Sequence, residues 1–360
     1  MPRPIDRELL DSLPTPCLVI DAAAARRNIE RAAMIARTAR MAIRPHFKAH
    51  KMTTLMREQV DAGASGVTCQ TGREALVLAR AGFRDILVAN EIVDPESIAE
   101  LTQAADLATV SVAVDQPEQI DLLAARMGSR PSSLGVVVEL DVGGHRCGVE
   151  PTSPELLALV DRVGQVPGLA FAGLLAYEGH LSLLPGRRAR RTGLRQVVRL
   201  ISLAREALAR AGFTADIITG GGTGTLDLLG AAGAHTEAQP GSYVLMDATY
   251  SRLRVPFEPA LFAVARVLSL RRGERAVLDA GLKSLSMEYG LPRSMRRGLT
   301  IVGLADEHAR ARLGATTRLE LGEPILIQPS HIDPTVNLHP RVFVADEGTI
   351  HTWAVDGRRS

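Results

Sequence analysis

The sequence predicts a (β/α)8 barrel followed by an antiparallel β domain. Over the first two thirds of the chain, short runs rich in Val, Ile and Leu alternate with helical patterns. These runs lack a clean polar alternation, which is typical of a parallel sheet buried on both faces. After about Val255 the strand-like runs follow one another across Gly and charged turns, and we expect no helix there. The 360 residues suffice for one barrel of about 250 residues and a smaller domain.

An early strand at Thr15–Ile20 precedes the barrel, and we expect it to pair with the β domain. Asp21 is a suitable N-cap for the helix that follows, from Ala22 to about Arg40. The barrel strands are predicted at Met41–Pro45, Gly66–Gln70, Asp85–Asn90, Thr109–Asp115, Leu134–Asp141, Leu169–Tyr177, Ala215–Thr219 and Glu237–Gln239. Between them, one helical pattern begins near Thr53. The others cover Gly72–Ala81, Pro95–Ala105, Gln116–Met127, Pro154–Val163 and Arg188–Ala211. We assign residues 22–255 to the barrel, and residues 1–21 with 256–360 to the β domain.

The composition excludes several classes of partner. Lysine plus arginine number 42 and aspartate plus glutamate 40, so a net charge of +2 gives no steering toward nucleic acid or an anionic membrane. No apolar run approaches the roughly 20 residues that span a bilayer, and the polar N-terminus lacks the apolar core of a signal peptide. The three cysteines, Cys17, Cys69 and Cys147, are scattered and form no C-x-x-C pair. We expect a soluble, cytoplasmic protein.

Two histidines and two lysines follow the first barrel strand, in the segment Pro45-His46-Phe47-Lys48-Ala49-His50-Lys51. The carboxyl ends of barrel strands carry the reactive groups of α/β barrels, which makes a lysine here a candidate for catalysis. An ordinary solvated loop is the alternative, because loops are commonly polar. Phe47 gives Lys48 a more apolar neighbourhood than Lys51 has, and this favours a neutral, nucleophilic amine at Lys48.

The strongest local motif is Thr219-Gly220-Gly221-Gly222-Thr223-Gly224-Thr225, directly after the seventh barrel strand. Glycines let backbone N–H groups approach a phosphate, threonine hydroxyls add donors, and barrel enzymes often bind phosphate at this place. A tight turn that only needs positive φ is the alternative, and the motif lacks the G-K-[ST] ending of a Walker loop. A reactive lysine and a phosphate loop at one barrel mouth are what pyridoxal phosphate requires.

A third group, His331 and Asp333, lies two residues apart in the segment Pro329–His339 of the expected β domain. On an extended segment the two side chains would project to the same side. Imidazole and carboxylate suit a divalent ion such as Mn2+, Zn2+ or Mg2+, with water or substrate completing the coordination. A surface turn with local hydrogen bonds is the alternative.

Six motifs, taken in order, resemble the D-threonine aldolase and D-serine dehydratase family of fold-type III pyridoxal phosphate enzymes, relatives of the bacterial alanine racemases. The resemblance runs from about Thr15 to about Val355. The motifs are Pro45–Lys51, Glu139–Gly143 with Arg146–Val149, Thr219–Gly224, Gly241–Asp247, Asp279–Ser284 and Ser330–Thr335. Each motif alone is weak, whereas the ordered set is highly specific.

The resemblance implies a cofactor-binding barrel, a β domain that carries a metal site, and a homodimer. It makes Lys48 the Schiff-base lysine, with Lys51 as an electrostatic neighbour and His46 and His50 as supporting residues. The further cofactor contacts that it implies are Gln70, Arg146, Tyr177, Gly221, Gly222, Thr223 and Tyr243. It gives His331 and Asp333 the metal positions, for which we favour Mn2+ and keep Zn2+ and Mg2+ open.

The metal pair also separates the two branches of the family. The dehydratase branch typically has His-x-Cys, whereas the aldolase branch has His-x-Asp, as this chain does. We therefore expect an aldolase that cleaves D-3-hydroxy-α-amino acids, of the D-threonine or D-allo-threonine type, to glycine and an aldehyde. The alternatives are a D-serine or 3-hydroxy-D-aspartate dehydratase, a metal-free amino-acid racemase, and a non-catalytic carrier of pyridoxal phosphate.

The loop after the sixth strand departs from the family pattern. This chain has Ala176-Tyr177-Glu178-Gly179-His180-Leu181-Ser182, where a reference aldolase has Ala-Tyr-His-Gly-Ser. Either the active-site histidine has moved along the loop to His180, or Glu178 does different work. We expect His180 or a metal-bound hydroxide to take the proton of the substrate's β-hydroxyl. A purely structural role for His180, orienting the loop, stays open.

Overall fold

The computed structural model describes residues 5–127 and 132–358. The chain forms two compact units. One contains the residues up to Arg31, Ala49–Thr54 and the residues from Ser242 onward, and the other contains Ala32–Lys48 and Leu55–Gly241. Residues 1–4 and 359–360, which the sequence assigns to the β domain, lie outside the described residues.

The larger unit contains eight parallel strands in one curved sheet. In chain order they are Ala42–Ile43, Val67–Cys69, Asp85–Glu91, Thr109–Val114, Leu134–Glu139, Leu169–Ala176, Ile217–Gly220 and Glu237–Ala238. Neighbours pair from the second strand round to the eighth, and the eighth pairs with the first. Between the first and second strands, Ser65 N donates to Ile43 O and Thr68 N donates to Pro45 O. These bonds close the sheet, and the predicted barrel is confirmed.

Helices connect the barrel strands, and side chains cap several of their N-termini. The helix Ala22–Ala39 precedes the first barrel strand, and those between the strands are Thr53–Asp61, Gly72–Arg80, Pro95–Ala105, Pro117–Met127, Pro154–Gln165, Gly179–Ser182, Arg187–Arg210 and Leu226–Ala232. The Thr71 hydroxyl accepts from Glu74 N, and the Asp94 carboxylate accepts from Ser97 N. Such caps satisfy amides that have no partner within the helix, so each helix begins at a defined residue.

Small and branched side chains fill the barrel interior. Leu87, Ala89, Ala113, Val137 and Leu175, from the third to the sixth strand, form one buried cluster. Each fully buried Leu or Val contributes roughly 1.5–3 kcal/mol relative to its exposed state. A packed interior gives the loops at the carboxyl ends of the strands a rigid base.

The other unit is built around a mainly antiparallel sheet that has nine strands within the described ranges. They are Cys17–Asp21, Leu261–Arg271, Arg275–Leu278, Arg293–Ser294, Leu299–Leu304, Ala309–Leu313, Pro324–Gln328, Arg341–Asp346 and Thr349–Ala354. Short helical segments lie at Arg7–Asp11, Ser242–Val244 and Tyr250–Arg252. Cys17–Asp21 pairs antiparallel with Leu261–Arg271 and parallel with Arg341–Asp346. The early strand therefore belongs to this sheet, as expected.

One expectation for this unit is wrong, because it contains a helix after Val255. The helix is Ile332–Asn337, and His331 precedes it with an extended backbone at φ −142°. The Thr335 hydroxyl donates to the His331 carbonyl at 2.7 Å, which fixes the first turn. Six residues are too few to show a helical period in the sequence. We had expected His331 and Asp333 to share one extended segment. Instead, His331 is extended and Asp333 lies in the first turn of the helix.

None of the helices in the described part of the chain is both long enough and apolar enough to cross a bilayer.

Candidate active site

Lys48 lies just past the carboxyl end of the first barrel strand. Buried Arg44 anchors this segment from below, because its guanidinium donates to Glu237 at 3.0 Å and to both carboxylate oxygens of Asp85 at 2.7 and 3.0 Å. The chain then makes a 3-10 turn at Phe47–Ala49, in which Phe47 is buried and Lys48 is half-buried. An amine on a packed turn is suited to covalent attachment of a cofactor, since its position is fixed.

Lys51 lies in the β unit and has a polar partner there. Its ammonium donates to Asn337 Oδ1 at 2.9 Å, and its carbonyl accepts from Gly357 N at 3.0 Å. Its backbone has a φ of +54°, in the left-handed region that non-glycine residues seldom adopt. These contacts give Lys51 a structural place in the β unit, which favours Lys48 over Lys51 as the cofactor lysine.

The glycine-rich motif after the seventh barrel strand is held by the carboxylate of Glu178. Gly221 N donates to Glu178 Oε2 at 3.0 Å, and the Thr225 hydroxyl donates to Glu178 Oε1 at 2.5 Å. Gly222 N donates in turn to Thr225 Oγ1 at 3.1 Å. Glu178 is fully buried. It supports the glycine loop, which is the different work that the sequence left open for it.

Two hydroxyls beside this loop have no hydrogen-bond partner among the residues that the structure describes. Thr223 Oγ1, within the motif, and Ser182 Oγ, from the sixth-strand loop, are both buried and unpaired. Ser182 packs so closely that a Cβ on Gly224 would lie 1.8 Å from its carbonyl oxygen, which is why glycine is needed there. The loop thus offers two spare hydroxyl donors in a tight fold, which suits an anion.

Arg146, Tyr177 and His180 line one cavity of about 150 Å3. The Arg146 guanidinium lies 5.6 Å from the centroid of the Tyr177 ring, and its Nη2 donates to Glu139 Oε1 at 3.2 Å. His180 is exposed, on the short helix Gly179–Ser182. The structure therefore brings Arg146, from the loop after the fifth strand, together with Tyr177 and His180, from the loop after the sixth.

Glu139 and Glu91 form a carboxyl pair behind Arg146. The Glu139 side chain is only 5% exposed. Its burial, and then the neighbouring charge and hydrogen bond of Glu91, raise the pKa of Glu139 to about 8, although Arg146 acts in the opposite direction. Two buried carboxylates in contact repel each other when both are ionised, so the pair retains a proton at neutral pH.

Cys147 lies beside the same pair. Its sulfur and the carboxylates of Glu91 and Asp115 lie within 4.8 Å of one another, a spacing that a metal ion would also need. Internal contacts account for this cluster, because Gly148 N donates to Asp115 Oδ2 at 2.8 Å and Glu91 shares a hydrogen bond with Cys147. Burial, and then the charge of Glu91, raise the pKa of the Cys147 thiol to about 11.

The two remaining predicted cofactor contacts lie in different units. Gln70 follows the second barrel strand, and its Nε2 donates to Ala89 O on the third strand at 3.3 Å. Tyr243 lies in the β unit, where it is buried with its ring centroid 5.4 Å from that of Phe257. The contact network places Gln70 at the barrel mouth and gives Tyr243 an aromatic packing partner in the β unit.

His331 and Asp333 converge in the β unit despite the helix between them. His331 Nε2 lies 3.6 Å from Asp333 Oδ1, and that oxygen is buried without a hydrogen-bond partner. The other ring nitrogen, Nδ1, lies 2.7 Å from Glu288 Oε2. The helix start, rather than an extended strand, thus brings the imidazole and the carboxylate together.

Asp247 is a further buried carboxyl near this pair. Its Oδ1 accepts from Tyr250 N at 2.8 Å, whereas its Oδ2 is buried and has no hydrogen-bond partner. Burial raises the pKa of Asp247 to about 6, although the Tyr250 amide opposes the change, and the charge of Asp333 adds to the rise. The β unit therefore concentrates unsatisfied carboxylate oxygens around His331, as a cation site would.

Comparison with known proteins places the chain among enzymes. A family model described as alanine racemase, N-terminal domain, matches residues 20–249, and one described as putative serine dehydratase domain matches residues 260–345. A D-threonine aldolase of Arthrobacter sp. is 37% identical over 351 residues, which cover 96% of this chain and 92% of the relative. The chain belongs to the D-threonine aldolase and D-serine dehydratase family. It is a lyase with the fold of pyridoxal phosphate-dependent enzymes.

Solved structures agree with this assignment. A D-threonine aldolase from Filomicrobium marinum superposes with a TM-score of 0.93 at 36% identity and covers 97% of both chains. A D-threo-3-hydroxyaspartate dehydratase, described as a cysteine-to-alanine mutant in the metal-free form, superposes with a TM-score of 0.87 at 27% identity. That alignment covers 96% of this chain and 98% of the dehydratase.

The barrel mouth of this family member fits pyridoxal phosphate. Lys48 supplies an amine on a packed turn, and Thr223 and Ser182 supply two buried hydroxyls that lack partners. A Cβ on Gly222 would lie 2.9 Å from Ser182 Oγ and 3.5 Å from the Tyr177 ring, so a side chain there would fill the cradle. The residues present therefore suit both ends of the cofactor, the aldehyde and the phosphate.

The β unit fits a divalent ion equally well. Two ligand atoms that each lie about 2.1 Å from one cation are roughly 3.0–3.5 Å apart. His331 Nε2 and Asp333 Oδ1 are separated by 3.6 Å, close to this distance, and Asp333 Oδ1 has no other partner. A nitrogen and an oxygen ligand suit Mn2+, Zn2+ or Mg2+.

Three residues that matter here received no role from the sequence. Glu139 and Ser182 stand in quoted motifs, but neither the contact of Glu139 with Arg146, seven residues away, nor the approach of Ser182 to Gly222 was visible there. Glu288, which contacts His331 from a distant segment, was not singled out at all. Glu139 carried the one available signal, because it is a lone carboxyl at the end of an apolar barrel strand. Glu288 lies in an irregular turn, where neither periodicity nor a spacing rule applies.

We expect Glu178→Ala to lower the free energy of unfolding by about 3 kcal/mol, because a buried amide loses its partner and a cavity remains. Glu178→Gln should lower the free energy of unfolding by less. Its amide oxygen can still accept from Gly221 N, although its NH2 group cannot accept from the Thr225 hydroxyl. Urea unfolding of the three proteins measures this order, and cofactor retained after dialysis should follow it. Equal stability of Glu178→Ala and the wild type would show that the loop does not depend on the carboxylate.

The raised pKa of Glu139 predicts a pH-dependent stability. The folded protein keeps this proton up to about pH 8, whereas the unfolded chain loses it near the ordinary value of 4.5. The stability that protonated Glu139 contributes is therefore fully present below pH 4.5 and is lost as the pH rises through 8. We expect the melting temperature of the wild type to fall more steeply over this window than that of Glu139→Gln, as measured by thermal melts. Glu150→Gln, at an exposed carboxyl, is the matched control, and parallel curves for all three proteins would contradict the assignment.

Proposed function

We propose that the protein cleaves D-3-hydroxy-α-amino acids, of the D-threonine or D-allo-threonine type, to glycine and an aldehyde. The observation that carries this proposal is the Asp333 carboxylate, whose unpaired oxygen lies 3.6 Å from His331 Nε2. The dehydratase branch typically has a cysteine at that position. Two aldolases, one similar in sequence and one in structure, support the same activity.

At the barrel mouth, we assign Lys48 to hold pyridoxal phosphate covalently, with Thr223 and Ser182 donating to its phosphate. Bound there, the cofactor supplies an electron sink for the bond that breaks at the substrate's α-carbon. Arg146 is assigned to lie beside the cofactor ring, and Glu139 holds its guanidinium at 3.2 Å. A fixed cation at that place orients the ring without reorganisation during the reaction.

In the β unit, we assign His331 and Asp333 to bind the divalent ion, with Mn2+ favoured. When bound between these two side chains, such an ion would supply Lewis acidity for the β-hydroxyl of the substrate. His180 is assigned to accept the hydroxyl proton, because it is exposed and lines the same cavity as Arg146 and Tyr177. The carboxyl pair Glu139–Glu91 keeps the charge behind Arg146 low at neutral pH, which leaves the guanidinium net positive.

The family resemblance also supports a homodimer with the metal site in its β domain. Size-exclusion chromatography with light scattering measures the molar mass in solution. A mass equal to that of one 38.5 kDa chain would contradict this part of the proposal.

Product analysis tests the proposed reaction. The purified protein, supplied with pyridoxal phosphate and Mn2+, is incubated with D-threonine, D-allo-threonine, D-serine and 3-hydroxy-D-aspartate. We expect glycine from D-threonine and D-allo-threonine in amounts equal to acetaldehyde, and loss of turnover when a chelator removes the ion. Ammonia and 2-oxobutanoate as the main products would overturn the aldolase assignment.

A dehydratase is the second candidate, because a D-threo-3-hydroxyaspartate dehydratase superposes with a TM-score of 0.87. In that case D-serine or 3-hydroxy-D-aspartate would yield ammonia and a 2-oxo acid, and glycine would not form. The same incubation therefore separates the two candidates in one measurement.

A further inference from the structure

Glu288 makes a direct contact with the histidine of the metal pair. Its Oε2 lies 2.7 Å from His331 Nδ1. The Glu288 side chain is 53% exposed, whereas that of His331 is 15% exposed. The two residues come from different segments of the β unit, so the contact is set by the fold and not by local sequence.

This contact decides which ring nitrogen of His331 can bind a metal. A carboxylate at Nδ1 holds the proton on that nitrogen and leaves the lone pair of Nε2 free. Nε2 is the nitrogen that faces Asp333 Oδ1 at 3.6 Å. The Glu288 carboxylate thus contacts one side of the imidazole, and the other side, Nε2, faces Asp333 Oδ1, with which it would bind a cation.

A hydrogen-bond network fixes the turn that carries Glu288 against the helix Ile332–Asn337. Ser286 N donates to Thr335 Oγ1 at 3.1 Å, and the Ser330 hydroxyl donates to Ser286 O at 2.9 Å. Glu288 N donates to Ser286 Oγ at 3.2 Å. Because both flanks of His331 are bonded to this turn, Glu288 and His331 keep one relative position.

The neighbouring aromatic residue restricts the imidazole further. The ring centroids of Tyr289 and His331 lie 4.5 Å apart, with an interplanar angle of 32°. Stacking on one side and a hydrogen bond at Nδ1 leave the imidazole one orientation. An isolated surface ion pair would need neither the stacked ring nor the bonded turn.

We propose that Glu288 is a positioning residue of the metal site, which acts by fixing the tautomer and orientation of His331. The proposal rests on the proposed function, because it requires that His331 and Asp333 bind a divalent ion. Outer carboxylates of this kind typically contribute about 10- to 100-fold to metal affinity. Glu288 itself touches neither substrate nor cofactor in this assignment.

The test is the affinity of the protein for Mn2+, measured by isothermal titration calorimetry on cofactor-loaded, chelator-treated protein. We expect Glu288→Ala to bind Mn2+ about 10- to 100-fold more weakly than the wild type. Glu288→Gln should show a smaller loss, because its amide oxygen can still accept from Nδ1. The matched control is Glu307→Gln, which removes an exposed carboxylate of the same unit that pairs with Lys283 at 2.7 Å. The control should bind Mn2+ as the wild type does.

The outcomes separate this proposal from the proposed function. One outcome is that the wild type binds Mn2+ and both Glu288 variants bind it with the same affinity. That result would overturn the positioning role and leave the aldolase assignment intact. A wild type that binds no Mn2+ would overturn both the metal site and the role of Glu288. If Glu288→Ala does not fold, Glu288→Leu decides the question, since it keeps much of the volume of the side chain but cannot accept from Nδ1. Melting temperatures of all variants, measured without metal, show that a lost affinity does not reflect lost folding.

Discussion

Lys48→Ala should lose the visible absorption band of the bound cofactor, and its turnover should fall by about 10³-fold or more. The reason is that the amine on the Phe47–Ala49 turn is the proposed covalent attachment, and no other group at this turn can replace it. Absorption spectroscopy of the purified variant measures the attachment, and glycine formation from D-threonine measures the turnover.

Lys51→Ala is the control for this experiment. Lys51 donates to Asn337 and belongs to the β unit, so its loss should remove one hydrogen bond of about 1 kcal/mol and leave the absorption band in place. A band that survives in Lys48→Ala and disappears in Lys51→Ala would reverse the assignment of the two lysines.

Asp333→Ala should abolish Mn2+ binding and reduce cleavage by about 10²-fold or more, since a Lewis acid contributes several kcal/mol at the reacting oxygen. The side chain offers a buried oxygen that has no other hydrogen-bond partner and lies 3.6 Å from His331 Nε2. Added Mn2+ at high concentration should restore little activity, because one of the two protein ligands is missing. Calorimetry and the glycine assay measure the two effects.

Asp333→Cys provides a sharper comparison than alanine alone. It recreates the His-x-Cys pair typical of the dehydratase branch, and a thiolate ligand favours Zn2+ over Mn2+. We expect this variant to bind Zn2+ more tightly than the wild type and Mn2+ more weakly. Unchanged metal preference in Asp333→Cys, together with full activity of Asp333→Ala, would show that Asp333 is not a ligand.

The barrel could be predicted from the sequence because its strands are short branched runs between helical patterns. Thr109–Val114 and Leu134–Glu139, for example, were found to within one or two residues, since burial on both faces selects Val and Leu along the whole strand. The helix Ile332–Asn337 was missed, because six residues show no period and the bond that fixes its first turn comes from a side chain, the Thr335 hydroxyl.

The candidate site could be predicted only in part for a related reason. Lys48, the glycine loop and the His331–Asp333 pair are local motifs. Their residues are close together along the chain, so they can be recognised from the sequence alone. The role of Glu178 was not visible, because its partners Gly221 and Thr225 come from the loop after the next barrel strand. Contacts between distant loops depend on the closed sheet, and no spacing rule in the sequence encodes them.

Cys147 is a weakly reactive thiol at the barrel mouth. Its thiol is partly accessible and lies beside the cavity lined by Arg146 and Tyr177, where oxidants and electrophiles can reach it. Only the thiolate reacts quickly with such reagents, and burial beside Glu91 raises the pKa of this thiol to about 11. At neutral pH nearly all of it stays protonated and inert. The same acidic pair that lies behind Arg146 therefore also keeps this thiol protonated, which lowers its own reactivity toward oxidants.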